Sequence, residues 1–133
     1  MTDALCFVHA ANVIHGDLTL HNVFLTQDLD IKLADFGGSS LDGSELLVIV
    51  HASHRYPRPL LSTDADIFSL GSAHYAIMMG KVPYQDLPEE EITALFKDGK
   101  FPDTDTLGPF GAIIRKCWQV KYKSVVDVCR NLT

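Results

Sequence analysis

Residues 64–79 set the tightest limit on how this chain can fold. Ile67, Phe68, Leu70, Ala73, Tyr75 and the run 76–79 cover most of the circumference of one helical stretch. A helix that is apolar all round has to be buried on every side. Ser62 or Thr63 offers an N-cap, Asp64 and Asp66 suit the positive end of the helix dipole, and Gly80 with Pro83 stops the element. The rest of the chain must therefore wrap around a central pillar, and 133 residues allow one such domain.

The remaining pattern supplies the wrapping. Residues 4–14 are apolar with high helix propensity and read as the end of a helix that breaks at His15-Gly16. Two short apolar runs, 22–26 and 31–35, flank the polar Gln27-Asp28 and predict a hairpin. Glycine and serine between Gly37 and Ser44 mark a flexible surface segment that runs to about Pro59. Pro88 and three glutamates open an amphipathic helix to about Lys97, and residues 110–120 and 124–132 predict two more helices. The expected fold is mainly α with a small β hairpin.

Several function classes drop out on charge and composition. Eleven basic against seventeen acidic residues leave a net charge of −6 with no basic stripe, which argues against a nucleic-acid partner. The longest aliphatic run, residues 46–50, is far below the ~20 residues of a membrane helix, and the first residues lack a basic segment ahead of an apolar core. Neither a membrane partner nor a signal peptide is expected. Three widely spaced cysteines, Cys6, Cys117 and Cys129, in apolar surroundings read as reduced buried thiols of an intracellular chain, cytoplasmic or nuclear. His9, His51, His54 and His74 are scattered without acidic or thiol partners at metal-site spacing, so packing or surface roles are expected.

Chemistry concentrates in His15-Gly16-Asp17-Leu18-Thr19-Leu20-His21-Asn22 and in Asp35-Phe36-Gly37 at the end of the second predicted strand. In the pattern H-x-D-L-x-x-x-N one carboxylate and one carboxamide share an irregular loop, so one can face an attacking hydroxyl while the other holds a cation. Asp35 adds a second hard oxygen ligand, a set suited to Mg²⁺ on nucleotide phosphates.

These motifs, in this order, resemble the C-terminal lobe of the protein kinase superfamily. The resemblance implies that Asp17 orients the substrate hydroxyl and accepts its proton, that Asn22 and Asp35 hold magnesium and so bind the ATP phosphates, and that His15 and Phe36 stack. Asp66-Ile67-Phe68-Ser69-Leu70-Gly71 resembles the start of the family's buried central helix, whose aspartate ties down the catalytic-loop backbone. Lys116-Cys117-Trp118 resembles a late helix of the tyrosine-kinase and tyrosine-kinase-like branches. By this likeness His15, Phe36, Gly37 and Asp66 are structural, the cofactors are ATP and Mg, and the partner is a protein carrying Ser or Thr hydroxyls.

The sequence also departs from the family. Gly16 stands where an arginine usually pairs with a phosphorylated activation loop, and Thr19 where serine/threonine kinases carry a lysine near the transferring phosphate. Arg58-Pro59-Leu60 replaces Ala-Pro-Glu, and no Gly-rich loop or strand lysine precedes residue 15. The chain is therefore expected to be a partial kinase domain over 1–133 without an ATP-gripping N-terminal lobe, inactive alone. A mean hydropathy of +0.10 adds the expectation of exposed apolar surface and self-association. Two other readings compete: a pseudokinase or scaffold fragment, and a small-molecule phosphotransferase of the aminoglycoside or choline kinase kind, whose loop also reads His-Gly-Asp. The glycine of Asp35-Phe36-Gly37 and the downstream matches favour protein kinases over the latter.

Overall fold

In the computed structural model, which describes residues 1–28 and 31–132, the central pillar is helix α2, Thr63–Met79. Ser62 caps it, accepting from the Ala65 N–H at 3.1 Å while its hydroxyl donates to the Pro59 carbonyl at 2.8 Å. Gly80 ends it at φ 74, a left-handed turn that glycine adopts without a Cβ clash. Every residue from Ala65 to Ala73 is buried. The last turn departs from the expectation of an element with no solvent face: Ile77 is 54% and Met78 45% exposed. Both lie outside the two apolar clusters that α2 serves, and periodicity alone does not reveal which face a partner covers.

Four more helices surround it: α1 at Thr2–Ala10, α3 at Glu89–Lys97, α4 at Pro109–Trp118 and α5 at Val125–Leu132. Different faces of α2 serve two apolar clusters. Ile67 and Leu70 pack with Leu5 of α1, Leu18, Cys117 of α4 and Val125 and Val128 of α5. Phe68 and Tyr75 pack with Ile92 and Phe96 of α3, and with Ile114 and Trp118 of α4. The α2–α4 crossing is close enough that a Cβ on Gly71 would lie 2.7 Å from Cys117 Cβ. The fold is mainly helical, and no described helix is long and apolar enough to cross a membrane.

The strands are few and antiparallel. β2 (Val23–Leu25) pairs with β3 (Ile31–Leu33), with Val23 opposite Leu33, which is the expected hairpin. β1 (Val13–Ile14) pairs with β4 (Ser40–Leu41). This second ladder corrects the reading of residues 4–14 as helix throughout. The helix stops at Ala10, Asn12 turns the chain at φ 63, and two β-branched residues enter a ladder whose partner lies 26 or more positions away. The segment 37–59 is likewise only partly a surface loop. Ser40 is buried, and a single 3₁₀ turn at Ala52–His54 is buried under α2, where Ser69 and Ser72 donate to the carbonyls of His54 and Ser53. Ser72 in turn accepts from Trp118 Nε1 at 2.9 Å.

Truncating Leu70, fully buried, to Ala should cost about 2–5 kcal/mol through the cavity left behind, whereas Ile77→Ala should change stability by no more than about 0.5 kcal/mol. Urea melts of both variants check this, and equal losses would contradict the burial pattern.

Candidate active site

The site begins where β1 ends. Asp66, in the first turn of α2 and 1% exposed, points its carboxylate at the chain leaving β1. Oδ2 accepts from the His15 backbone N–H at 2.7 Å and from His9 Nε2 at 2.9 Å, and Oδ1 accepts from the Gly16 N–H at 2.9 Å. A carboxylate taken this far from water is tolerable only with such donors. One side chain thus fixes the position and direction of the loop from His15 onward.

His15 is fully buried and each of its polar atoms has a partner. Nδ1 accepts from the Asp17 N–H at 3.1 Å, which leaves Nε2 to donate to the Ala34 carbonyl at 2.8 Å. Its carbonyl accepts from Ser39 Oγ at 2.7 Å, and its ring meets Phe36 edge to face with centroids 4.8 Å apart. The loop and the strand end that carries Asp35-Phe36-Gly37 are therefore joined through one imidazole.

Asn22 makes the second connection. Its amide nitrogen donates to the Asp17 carbonyl at 2.7 Å and to Asp17 Oδ2 at 3.0 Å. Both amide protons are used, so Oδ1 is the atom left to accept or to ligate. The Asn22 carbonyl accepts from the Ala34 N–H at 2.9 Å, which sets Asp35 one residue beyond a bond to Asn22. Asp35 itself is exposed and sits at φ 58, a left-handed conformation that Asp adopts more readily than most residues. Asp17 and Asn22 are thus in direct contact, and Asp35 follows Ala34 at the mouth of the β2–β3 hairpin.

Gly16, at φ 81, has the Leu46 side chain 2.7 Å from where a Cβ would stand. An arginine at this position would meet both a backbone penalty and a steric one.

Beside the loop lies a cavity of about 310 Å³ lined by Thr19, Leu20, His21, His51, Ser53, His54 and Val82. The Ser53 hydroxyl sits between Nδ1 of His51 at 3.0 Å and Nδ1 of His54 at 2.8 Å. His54 is 3% exposed, and its Nε2 has no partner. Burial, followed by the fields of His51 and His21, pushes its pKa down to about 4. These residues were expected to play packing or surface roles. Their position against Thr19–His21 depends on the buried 3₁₀ turn, which has no local signature. His9 was also missed as a positioning residue, because its partner Asp66 lies 57 positions away.

The protein kinase domain family matches residues 1–124. The chain belongs to the protein kinase family. Among curated relatives, serine/threonine-protein kinase ppk25 of Schizosaccharomyces pombe is 30% identical over 75% of this chain and 26% of its own length. Serine/threonine-protein kinase plk-1 of Caenorhabditis elegans is 28% identical over 87% of this chain and 19% of its own. The RAF proto-oncogene serine/threonine-protein kinase of Xenopus laevis is 29% identical over 95% and 21%. This kinase chain spans about a quarter or less of the length of these relatives.

Two outcomes follow from the site. Asp66→Ala strands two backbone donors and an imidazole in the interior and should cost about 3–5 kcal/mol, while Asp35→Asn, exposed and tolerant of its backbone angle, should stay within about 0.5 kcal/mol in urea melts. His54, held down near 4 in the folded state against 6.5 in the unfolded one, resists protonation on folding. Its contribution is therefore intact above pH 6.5 and is lost as pH falls from 6.5 to 4, a decline of about 3 kcal/mol. Melting temperatures across that range should fall more steeply for the native chain than for His54→Gln; parallel curves would show that His54 is not held neutral.

Proposed function

We propose that these residues form the C-terminal lobe of a serine/threonine protein kinase domain and carry the half of the centre that handles the accepting hydroxyl and the metal. The bond from the Asn22 amide to Asp17 Oδ2, at 3.0 Å, carries this reading. It aims a proton-accepting carboxylate from the same short loop that presents a ligating amide oxygen. The relatives named above, each a serine/threonine kinase by name, support a protein hydroxyl as acceptor.

The residues fit a magnesium ion brought in with ATP. Asn22 Oδ1, freed by the two bonds its nitrogen makes, and the exposed Asp35 carboxylate are hard oxygen donors, and Mg²⁺ commonly takes one or two such groups with phosphates and waters. Among the described residues no three His, Cys, Asp or Glu side chains cluster as a metal site, which suits an ion arriving on the nucleotide better than a resident one. When bound, the ion neutralises charge on the phosphates. The chain's own part is to hold Asp17 within reach of a Ser or Thr hydroxyl, to accept that proton as the hydroxyl oxygen attacks the γ-phosphorus, and to fix Asp35 through His15 and Asn22.

A scaffold role is the second reading, and Thr19 and Gly16 favour it. Thr19 places no positive charge beside the transferring phosphate, and Gly16, in a left-handed backbone conformation that disfavours an arginine, offers no cation to answer a phosphorylated loop. Either way the partner is another protein inside the cell. Phe24, Leu41, Leu47 and Ile49 are exposed apolar residues that suit contact with a further lobe or a second copy.

The 133 residues alone should bind Mg-ATP weakly and transfer phosphate negligibly, since positioning of the nucleotide accounts for ~7–11 kcal/mol of such a barrier. Joined to a nucleotide-gripping lobe taken from a relative, the chain should phosphorylate a generic protein substrate, and Asp17→Asn should lower turnover roughly 10²–10⁴-fold. Calorimetry and a phosphotransfer assay measure both. Micromolar binding and turnover by the isolated chain would contradict the lobe assignment, and a joined protein indifferent to Asp17→Asn would leave the scaffold reading.

A further inference from the structure

α1 and α5 come from opposite ends of the chain and pack side by side against the cluster around Leu70. At their contact Cys6 Sγ and Cys129 Sγ are 3.1 Å apart, 123 positions apart in sequence, and both cysteines are free and half-buried. Two sulfurs at this separation need to close by only about 1 Å to reach a disulfide bond. The third cysteine, Cys117, is fully buried at the α2–α4 crossing and has no such neighbour among the described residues. All three thiols are free, as expected, but only Cys117 is fully buried.

We infer that Cys6 and Cys129 form an oxidant-responsive dithiol site whose disulfide clasps α1 to α5. A cavity of about 280 Å³ lined by Asp3, His74, Ile77 and Cys129 reaches the Cys129 side of the pair, and Cys6 is itself only half-buried. Cys129 donates toward Asp3 Oδ1 at 3.5 Å. Burial, followed by the hydrogen bonds with Cys6 and Asp3, pushes the Cys129 thiol up to about 12, and its bond to Asp3 suits it to the second, resolving step. With a peroxide as oxidant, the Cys6 thiolate attacks one peroxide oxygen and the O–O bond breaks, giving a sulfenic acid and an alcohol or water. Cys129 sulfur then attacks the sulfenic sulfur, its proton leaving toward Asp3, and the S–O bond breaks to release water. Two thiols and one peroxide thus become one disulfide, one alcohol or water and one further water, with two electrons passing from sulfur to oxygen.

The clasp bears on the rest of the molecule because α1 also carries His9, a donor to Asp66. Cys6 lies within residues 1–124 that match the family, and Cys129 lies in α5 just beyond them. The site does not depend on phosphoryl transfer.

The test uses the intact chain. After mild peroxide, alkylation under denaturing conditions and tryptic mapping should find the peptide of Cys129 joined to the peptide of Cys6, with Cys117 alkylated, and an intact mass lower by two hydrogens. The oxidised chain, with a loop of 123 residues closed, should melt about 5–15 °C higher, and dithiothreitol should reverse the shift. Cys6→Ser and Cys129→Ser should each abolish the linked peptide and the shift. Mapping of the native chain needs no variant, so it stands even where a serine impairs folding. Oxidation that leaves both cysteines alkylatable, joins either to Cys117, or yields only links between chains would overturn the inference.

Discussion

A single buried carboxylate organises this structure. Asp66 opens the most deeply buried helix and spends its oxygens on the N–H groups of His15 and Gly16 and on the His9 imidazole. Those donors lie on α1 and on the loop after β1, so one side chain ties two parts of the chain to the pillar. The interior leaves it little choice, because a carboxylate buried without donors costs several kcal/mol and no apolar neighbour can compensate.

The geometry of the candidate site follows outward from that tether. With the His15 backbone fixed, its ring reaches the Asp17 N–H, the Ala34 carbonyl and Phe36, which draws in the strand end of Asp35. Asn22 closes the arrangement from the other side through the Asp17 carboxylate and the Ala34 N–H. Functional groups on exposed loops are otherwise mobile. Here an exposed Asp35 follows Ala34, whose carbonyl and N–H bond the buried His15 and Asn22, a firm base for a residue that must meet solvent and ligand. On the far face, Ser69 and Ser72 do similar work for the 3₁₀ turn beside Thr19 and His21, so α2 anchors both walls of the cleft.

Local signals made much of this legible in the sequence. Ser62 as cap, Gly80 as stop and the apolar run between them define α2 to within a residue, because capping and periodicity act over one or two turns. Val23 opposite Leu33 is likewise a short-range pairing. The motif residues Asp17, Asn22 and Asp35 stand out by type and spacing; the structure joins Asp17 to Asn22 and bonds Asn22 to Ala34, the residue before Asp35. What stayed hidden has partners distant in sequence. Val13 and Ile14 look helical until Leu41 and Ser40 arrive to pair with them, His9 looks like a surface histidine until Asp66 is placed, and Cys6 and Cys129 look unrelated until α1 meets α5. Ile77 errs in the opposite direction: its apolar character is local, and its exposure depends on which face a partner covers.

The central claim is that the Asp66 carboxylate holds the loop as firmly as the core holds α2. Native-state hydrogen exchange reads this directly at the His15 and Gly16 amides, whose acceptor is that carboxylate. Both should exchange only through global unfolding, as slowly as the Leu70 amide in the middle of α2, although they belong to a loop. Exchange of His15 and Gly16 at the rate of a freely opening loop, with Leu70 still protected, would contradict it.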